Sequence, residues 1–486
     1  DLKTYTSSEL TQLGRQIVTP FLIEIYREGC LDQIKIIEIL RIIPRKRLVA
    51  KANWQGTTAI VKIFFAPLRW KRNLSRDISG IILLRKNGLR APAILHDGEL
   101  ADKKGAALVL EFVEDGKTVG EYFKEAESAS EQQLWFSKTV RAIGVCHRSG
   151  LWQSDLHMDN FIQSKNHIYY LDGGGIRVLE DSSSNDVIYR NIALFLAQFK
   201  VENDENIGIL LKEYCLENQK INNLNKKLIA DKVREARILR ISNYEKKLFR
   251  STTAHRSIRS ISKFVVHARD IYSSSFENFV GDPNGYIKKE SLMKDGNSTT
   301  VAEFNFDGEI CVIKRYNLKS LWQKIKYLFK PSRAAKCWRN SLMLRMLGVE
   351  TPRPFMIMEE RLFGLLRKKA YFVCEKIEAP NLMEYFEGRQ LNHSELAQII
   401  TKFRNLFQIM IDYKISHGDM KASNFIFHNE KLFVLDLDGM KRHQSNRHFK
   451  KAIMKDFNRF MKNWRNNEYE EEFKSMIDEL EILTNS

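Results

Sequence analysis

The sequence has few cysteines and no long apolar run. Its six cysteines are scattered, without a CxxC pair or a metal-type spacing, which predicts free thiols in a reducing compartment. No apolar stretch approaches the roughly 20 residues that a membrane-spanning helix needs, and no secretory signal opens the chain. These absences predict a cytoplasmic protein without disulfides.

Acidic residues are also in deficit. The chain has 78 lysines and arginines against 60 aspartates and glutamates, which gives a formal net charge of +18. Such a balance predicts a polyanionic partner, which is a nucleic acid, an anionic membrane surface or a phosphorylated substrate. The sequence has no zinc-finger spacing or other nucleic-acid motif, so we do not expect nucleic acid to be the partner.

Two polar stretches share one spacing. They are QSDLHMDNFIQSKNHIYYLDGGG from Gln153 and HGDMKASNFIFHNEKLFVLDLDG from His417. Their Asp, Asn and Asp recur 264 positions apart, as Asp155, Asn160 and Asp172 and then as Asp419, Asn424 and Asp436. A chain of 486 residues is too long for one ordinary core. The repeat therefore predicts two domains that arose by tandem duplication.

Further landmarks recur in the same order. A strand-like run carries Lys62 in TTAIVKIFF and Lys314 in GEICVIKRY, and a helix stop follows at 88–92 and again at 348–352. We predict a first domain over 1–240, a join over 241–275 in an Arg- and Ser-rich segment, and a second domain over 276–486.

The spacing of these polar residues is typical of metal-assisted phosphoryl transfer. In that chemistry the first aspartate orients the attacking hydroxyl, and the asparagine and second aspartate hold Mg²⁺. A lysine on an upstream strand binds phosphates and needs a carboxylate from the next helix. Asp77 is that carboxylate in the first half, whereas 315–349 has nine lysines and arginines and no acid.

Both halves resemble the protein-kinase-like superfamily, and specifically the bacterial lipopolysaccharide core kinases. HGDMKASNFIF, VLDLDG and GVETPRP carry the resemblance in the second half, and SDLHMDNFI, YLDGGG and GLRAP carry it in the first. The resemblance implies an α+β fold of two tandem protein-kinase-like domains. Each would have a small β-rich N-lobe and a helical C-lobe.

The resemblance also implies roles for individual residues. It makes Asp155 and Asp419 the catalytic bases. The metal ligands would be Asn160, Asp172, Asn424 and Asp436. The cofactor-binding residues would be Lys62, Asp77, His157, Lys314 and Lys421. We expect His417 to support its loop and Asp438 to lie behind the site or in a surface turn. The sequence departs from the family pattern in three places, the first of which is the helix carboxylate that the second half lacks. Gln153 replaces the usual histidine, and no GxGxxG loop is present, so WQGTT (Trp54 to Thr58) and KDGNSTT (Lys294 to Thr300) are short candidates for the phosphate loop.

The implied activity is ATP- and Mg²⁺-dependent phosphorylation of heptose or 3-deoxy-D-manno-octulosonic acid (Kdo) in the lipopolysaccharide core, at the cytoplasmic face of the inner membrane. The implied partners are the core glycolipid and the anionic membrane surface, and the resemblance allows an acidic acyl carrier protein. Two alternatives stay open. One is a protein or small-molecule kinase of the same fold, and the other is a pseudokinase scaffold that binds anionic membrane or nucleic acid.

A basic amphipathic segment, Leu318 to Lys336, and a shorter version, Ala66 to Arg76, each allow two readings. Either is an ordinary helix packed on its lobe, or it lies on anionic lipid or an acidic protein.

Overall fold

The computed structural model describes residues 2–180, 184–219, 224–271, 273–317, 330–364 and 366–485. The chain divides into two compact units. Unit 1 contains Asp1–Gln198 and Asp204–Val233, and unit 2 contains Phe199–Asn203 and Arg234–Ser486. Each unit mixes helices with antiparallel strands, as the predicted α+β class requires.

Unit 1 contains a six-stranded antiparallel sheet whose order is β1-β2-β3-β4-β6-β5. The side chains of β3 alternate between buried and half-buried, and β4 is buried along most of its length, so the sheet has one well-packed core face. The strands are β1 Phe21–Arg27, β2 Cys30–Ile43, β3 Arg47–Trp54, β4 Thr57–Phe64, β5 Ile94–Glu99 and β6 Ala106–Glu111.

Helices and short strand pairs complete unit 1. The helices are α1 Ser7–Leu13, α2 Trp70–Lys86, α3 Val119–Glu125, α4 Ala129–Arg148, α5 Ser184–Leu196, α6 Ile207–Glu217 and α7 Lys226–Glu245, of which α7 contains the boundary with unit 2. The short strands are β7 Lys117–Thr118, β8 Leu151–Gln153, β9 Phe161–Ser164, β10 His167–Tyr170 and β11 Ile176–Val178. The predicted helix stop is confirmed, because α2 ends two residues before Gly88, whose φ is 76°.

Unit 2 contains a seven-stranded antiparallel sheet in the order β12-β13-β17-β18-β16-β15-β14. Its strands are β12 His255–Arg259, β13 Lys263–Ala268, β14 Leu292–Asp295, β15 Thr299–Phe306, β16 Glu309–Tyr316, β17 Pro354–Leu362 and β18 Leu366–Glu375. Five of these strands follow the order of the last five in unit 1, with β14-β15-β16-β18-β17 matching β2-β3-β4-β6-β5.

The rest of unit 2 is mostly helical. Its helices are α8 Ser274–Gly281, α9 Arg333–Leu347, α10 Leu382–Phe386, α11 His393–Asp412, α12 Asn446–Met461 and α13 Glu470–Asn485. Strand β19 Ile415–Ser416 pairs with β22 Lys441–Arg442, and β20 Phe425–His428 pairs with β21 Lys431–Val434. Helix α9 ends at Gly348, which adopts a left-handed φ of 90°, so the second predicted stop is also confirmed.

The predicted join does not match the boundary in the structure. Residues 255–259 and 263–268, inside the predicted join of 241–275, form two strands of the unit 2 sheet. The change of compact unit instead falls at Val233, within α7. The Arg- and Ser-rich composition resembles a linker, but a strand at a sheet edge tolerates exposed polar side chains as readily.

Candidate active sites

Lys314 and Asp436 come together in unit 2. Lys314 lies on β16, and its Nζ is 3.4 Å from Asp436 Oδ1. Burial lowers the pKa of Lys314, but Asp436 and other nearby acidic groups outweigh burial and leave this pKa raised. Burial likewise raises the pKa of Asp436, yet the charge of Lys314 outweighs it and leaves this pKa lowered. The two groups are therefore a charged pair at neutral pH.

The loop after β19 carries the predicted base of unit 2. The Asn424 side-chain amide donates a 2.8 Å hydrogen bond to the main-chain oxygen of Asp419. The Asp419 carboxylate faces Lys421 Nζ at 2.8 Å and Arg459 Nε at 3.6 Å. The amide nitrogen of Asn424 is engaged, and among the described residues none donates a hydrogen bond to its side-chain oxygen, so this oxygen can serve a cation.

A buried aspartate of α12 holds this loop. Asp456 accepts hydrogen bonds from the main-chain N–H groups of His417 at 2.7 Å and Gly418 at 2.9 Å. The His417 ring bonds the Leu435 oxygen at 2.9 Å, so it supports the loop as expected. The sequence reasoning missed Asp456. Its signal is an acid in the middle of the apolar stripe formed by Phe449, Ile453, Phe457 and Phe460.

Asp438 also has a defined partner. Arg333, the first residue of α9, forms an ion pair with Asp438 and donates a 2.9 Å hydrogen bond to the Thr299 hydroxyl. Its guanidinium lies 4.8 Å from the centre of the Tyr316 ring. Helix α9 has no acid for Lys314, and this arginine instead links the helix to the segment that carries Asp436. The sequence reasoning missed Arg333, which no local pattern distinguishes from its basic neighbours.

A cavity of about 580 Å³ adjoins these groups in unit 2. The segment from Glu375, the last residue of β18, to Ala379 lines it, and so do Lys314 and Asp436. A cavity of this volume that is lined by both apolar and polar side chains is large enough for a nucleotide base. The apolar lining includes Val301, Val312, Phe372, Cys374, Ile426 and Leu435.

The corresponding groups of unit 1 also meet. Lys62 Nζ is 2.7 Å from Asp77 Oδ1 on α2 and 4.0 Å from Asp172 Oδ1, and it donates to the Leu171 oxygen at 3.4 Å. The side chains of Lys62 and Asp77 are only 10% and 1% exposed. The predicted pairing of Lys62 with a carboxylate of the following helix is therefore present.

The loop of unit 1 repeats two contacts of unit 2. Asn160 donates a 2.6 Å hydrogen bond to the main-chain oxygen of Asp155, as Asn424 does to Asp419. His157 Nε2 lies 3.0 Å from Asp155 Oδ1, in the place that Lys421 takes. The hydrogen bond from His157 lowers the pKa of Asp155, and the charge of Arg47 on β3 adds to this effect.

The support beneath this loop differs between the units. In unit 1, Asn191 of α5 donates to the Gln153 main-chain oxygen at 2.7 Å and contacts His147 Nε2 at 3.0 Å. His147 Nδ1 lies 2.9 Å from the Tyr214 hydroxyl, which completes a buried polar chain. Asn191 thus donates to a main-chain carbonyl of the unit 1 loop, whereas Asp456 accepts hydrogen bonds from main-chain N–H groups of the unit 2 loop. The sequence reasoning missed Asn191, which lies on an apolar helical stripe with Ile188, Ile192 and Phe195.

One proposed phosphate loop is wrong. Trp54 to Thr58 is the turn between β3 and β4, where Trp54 pairs with Thr57. Lys62 pairs with Val49, five residues along β3 from Trp54, so this turn lies at the end of β4 away from Lys62. The turn that lies near Asp155 is instead 44–46, between β2 and β3, since Ile43, Lys46 and Arg47 share a cavity with Asp155. Lys294 to Thr300 does connect β14 to β15, and Lys294 and Thr299 line the unit 2 cavity.

The asparagine and aspartate side chains of each unit suit a Mg²⁺ ion better than a metal that requires a complete set of protein ligands. Among the described residues, no group of three or more His, Cys, Asp or Glu side chains could hold a metal. Each unit offers one asparagine and one aspartate, and Mg²⁺ commonly binds one or two carboxylates while keeping waters and substrate phosphates. Asp172 Oδ1 is buried without a hydrogen bond within the described part of the chain, so a cation at this position would satisfy it.

The two basic segments have different outcomes. Most of Leu318 to Lys336, namely 318–329, lies outside the described residues. Ala66 to Arg76 forms the approach to α2 and its first two turns, where Trp70 is buried and Leu68 is exposed. Among the described helices, none combines the length and the apolar character that crossing a bilayer requires.

Comparison with known proteins assigns one part of the chain. Residues 287–476 match the model of the lipopolysaccharide kinase (Kdo/WaaP) family, and this range contains Lys314, Asp419, Asn424 and Asp436. No curated protein matches the sequence. The matched range begins after unit 1 and covers most of unit 2. Unit 2 is therefore similar to lipopolysaccharide kinases from β14 to the first turns of α13, whereas β12, β13 and α8 precede the matched range.

Proposed function

We propose that this chain is an ATP-dependent phosphotransferase that phosphorylates heptose or Kdo hydroxyls of the lipopolysaccharide inner core, and that both units are kinase-like domains. The family match over 287–476 supports a kinase that acts on lipopolysaccharide sugars. One observation extends the proposal to unit 1. Asn160 and Asn424 make the same hydrogen bond to the main-chain oxygens of Asp155 and Asp419.

In this proposal each residue of unit 2 has a distinct task. Asp419 would accept the proton of the attacking sugar hydroxyl, and Lys421, 2.8 Å from it, would meet the transferred phosphoryl group. Lys314 would bind the donor phosphates from the wall of the cavity. Mg²⁺ held by Asn424 and Asp436 would neutralise phosphate charge. Asp155, His157, Lys62, Asn160 and Asp172 would take the equivalent tasks in unit 1.

The charge of the chain supports a location on the cytoplasmic face of the inner membrane. A net charge of +18 attracts anionic lipid and a core glycolipid that already carries phosphate and carboxylate groups. The same charge would accommodate an acidic acyl carrier protein. We propose no nucleic-acid partner.

A second candidate has an observation in its favour for unit 1 alone. Gln153 and Asn191 stand where unit 2 has His417 and Asp456, and Gln153 Oε1 is buried without a hydrogen bond among the described residues. A loop supported in this way could bind nucleotide without turnover. Unit 1 would then be a regulatory or scaffolding domain beside an active unit 2.

The experiment that tests the proposal is transfer of label from ATP in the presence of Mg²⁺ to a panel of acceptors. The panel contains dephosphorylated lipopolysaccharide core, free heptose, free Kdo and a general protein acceptor, and the double variant Asp155→Asn, Asp419→Asn is the control. We expect label on the core glycolipid with the wild type and none with the double variant. Label on the protein acceptor alone would contradict the sugar assignment, and binding of ATP without label on any acceptor would favour a scaffold.

A further inference from the structure

A cavity of about 520 Å³ lies in unit 1 between the helix stop at Gly88, helix α4 and the hairpin formed by β9 and β10. Its volume is in the range of ligand sites. Its lining includes none of Lys62, Asp155 and Asp172. The cavity is therefore separate from the candidate active site of unit 1.

Unit 2 has the same backbone arrangement at this place. The main-chain N–H of Tyr170 on β10 donates to the Arg90 oxygen at 2.8 Å. In the same way, Val434 on β21 donates to the Glu350 oxygen at 2.9 Å. In each unit the accepting oxygen belongs to the second residue after the glycine of the helix stop. Arg90 and Glu350 thus occupy equivalent positions and carry opposite charges.

A short segment of the chain covers this place in unit 2. The segment, 199–203, belongs to unit 2 although it precedes α7. A Cβ added to Gly348 would lie 2.9 Å from the Lys200 Cβ, and Lys200 Nζ is 3.5 Å from Glu350 Oε1. Val201, the next residue, packs against the hydrophobic core of unit 2. A basic residue followed by an apolar one therefore covers the helix stop of unit 2.

The equivalent place in unit 1 is open, and its charge is reversed. Among the described residues, no atom comes within 4 Å of a Cβ added to Gly88. Within the described ranges, neither Arg90 nor Lys138 of the lining forms an ion pair with a carboxylate. Glu217, an acidic residue of the lining, already faces Arg148 at 3.9 Å. Two positive charges of this cavity therefore lack an acidic partner.

We infer that this cavity binds an acidic segment of a partner protein, which lies on unit 1 as 199–203 lies on unit 2. An acidic side chain of that segment pairs with Arg90, as Lys200 pairs with Glu350, and Lys138 is the second cation. A chain segment suits the cavity better than a small anion because its apolar residue can contact the apolar part of the lining. That part includes Leu89, Ala142, Val145 and Ile168.

The test is fluorescence polarisation of labelled peptides with the full-length protein. One peptide has the sequence of 199–206 with Lys200→Glu, and the comparison peptide keeps Lys200. We expect the comparison peptide to bind the wild type roughly tenfold more weakly than the acidic peptide. The variant Arg90→Glu, which places at this exposed position the residue that unit 2 has at 350, is expected to reverse the preference. The control Arg72→Glu changes an exposed charge at the other end of α2 and is expected to alter neither affinity by more than about twofold.

Hydrogen exchange locates the bound peptide, and we expect protection over 88–91 and 163–170. The inference is overturned if the acidic peptide does not bind, if Arg90→Glu keeps the wild-type preference, or if the protected residues lie elsewhere. Displacement of the peptide by an equal concentration of free glutamate would also overturn it, since the cavity would then be a small-anion site. Neither measurement involves turnover, so the result is independent of whether unit 1 transfers phosphate.

Discussion

The ion pair between Lys62 and Asp77 allows a sharp test of the unit 1 site. The two side chains are nearly buried, and Nζ and Oδ1 are 2.7 Å apart. The partners are not equivalent. Without Asp77, the Lys62 ammonium keeps the Leu171 oxygen at 3.4 Å and Asp172 at 4.0 Å. Without Lys62, the Asp77 carboxylate, which is 1% exposed, has no other cation paired with it among the described residues.

This asymmetry sets the expected magnitudes. Removing one partner of a buried pair costs about 3–5 kcal/mol of folding free energy because the other charge stays buried. We expect Asp77→Asn to cost about 3 kcal/mol and Lys62→Met about 5 kcal/mol, at the two ends of that range. The double variant Lys62→Met, Asp77→Leu removes both charges and should lie within about 1 kcal/mol of the wild type.

These losses of folding free energy are measured by hydrogen exchange at increasing urea concentration, followed peptide by peptide, because this method reports the stability of each unit separately. The control is Lys71→Met, which breaks the exposed Lys71–Glu99 pair and should change the free energy of opening by less than about 1 kcal/mol. The reasoning fails if Lys62→Met is no worse than this control, or if the double variant is as destabilised as Lys62→Met.

Three further predictions concern single groups. Asp456→Asn, introduced beside Asp155→Asn so that unit 2 alone transfers phosphate, should lower kcat by about 10²-fold with little change in the KM for ATP, because Asp456 positions the loop and not the nucleotide. Steady-state kinetics against the Asp155→Asn protein measures this, and an unchanged kcat would contradict it. Burial lowers the pKa of His147 to about 4, and its contact with Asn191 only partly opposes this shift. Below pH 6.5 the unfolded state therefore binds a proton that the folded state does not, and the free energy of unfolding of unit 1 should fall by up to about 3 kcal/mol as the pH is lowered to 4. A flat pH profile of hydrogen exchange in α4 would refute this. Gly80→Ala should destabilise unit 1 by about 3 kcal/mol, since a Cβ there would lie 1.8 Å from the oxygen of Gly173, whereas Ser79→Ala on the exposed face of α2 should be nearly neutral in the same urea series.

The sequence predicted the parts of the site that depend on short-range order. Asp155 and Asn160, and likewise Asp419 and Asn424, are five positions apart, so one loop conformation brings each pair together. The strands that carry Lys62 and Lys314 were predictable because β-branched and aromatic residues surround each lysine. The helix stops were predictable from the glycines that end α2 and α9.

The supporting residues were not predictable in the same way. Asp456 contacts a loop 38 and 39 positions earlier, and Arg333 contacts Asp438 across 105 positions. Neither separation follows from helical or strand periodicity. The buried acid on the apolar stripe of α12 predicts a polar contact but does not identify the partner.

Strand order was the other limit of the sequence reasoning. The turn at Trp54 to Thr58 contains a glycine, and the turn at 44–46 is a Pro-Arg-Lys sequence, so composition favoured the wrong one. Only the antiparallel register, which pairs Arg47 with Phe64, shows which turn lies at the Lys62 end of β4. The turn at 44–46 carries cations rather than glycine, which departs from the pattern on which the prediction relied.

The central claim is that both units transfer phosphate to the lipopolysaccharide core. The most direct measurement is the rate of label transfer from ATP to dephosphorylated core by the wild type, Asp155→Asn, Asp419→Asn and the double variant, with the labelled positions mapped by mass spectrometry. The account predicts that each single variant loses a different labelled position, by about 10²-fold or more, and that the double variant loses both. If Asp155→Asn leaves every labelled position at the wild-type rate, unit 1 is not a phosphotransferase and the claim is contradicted.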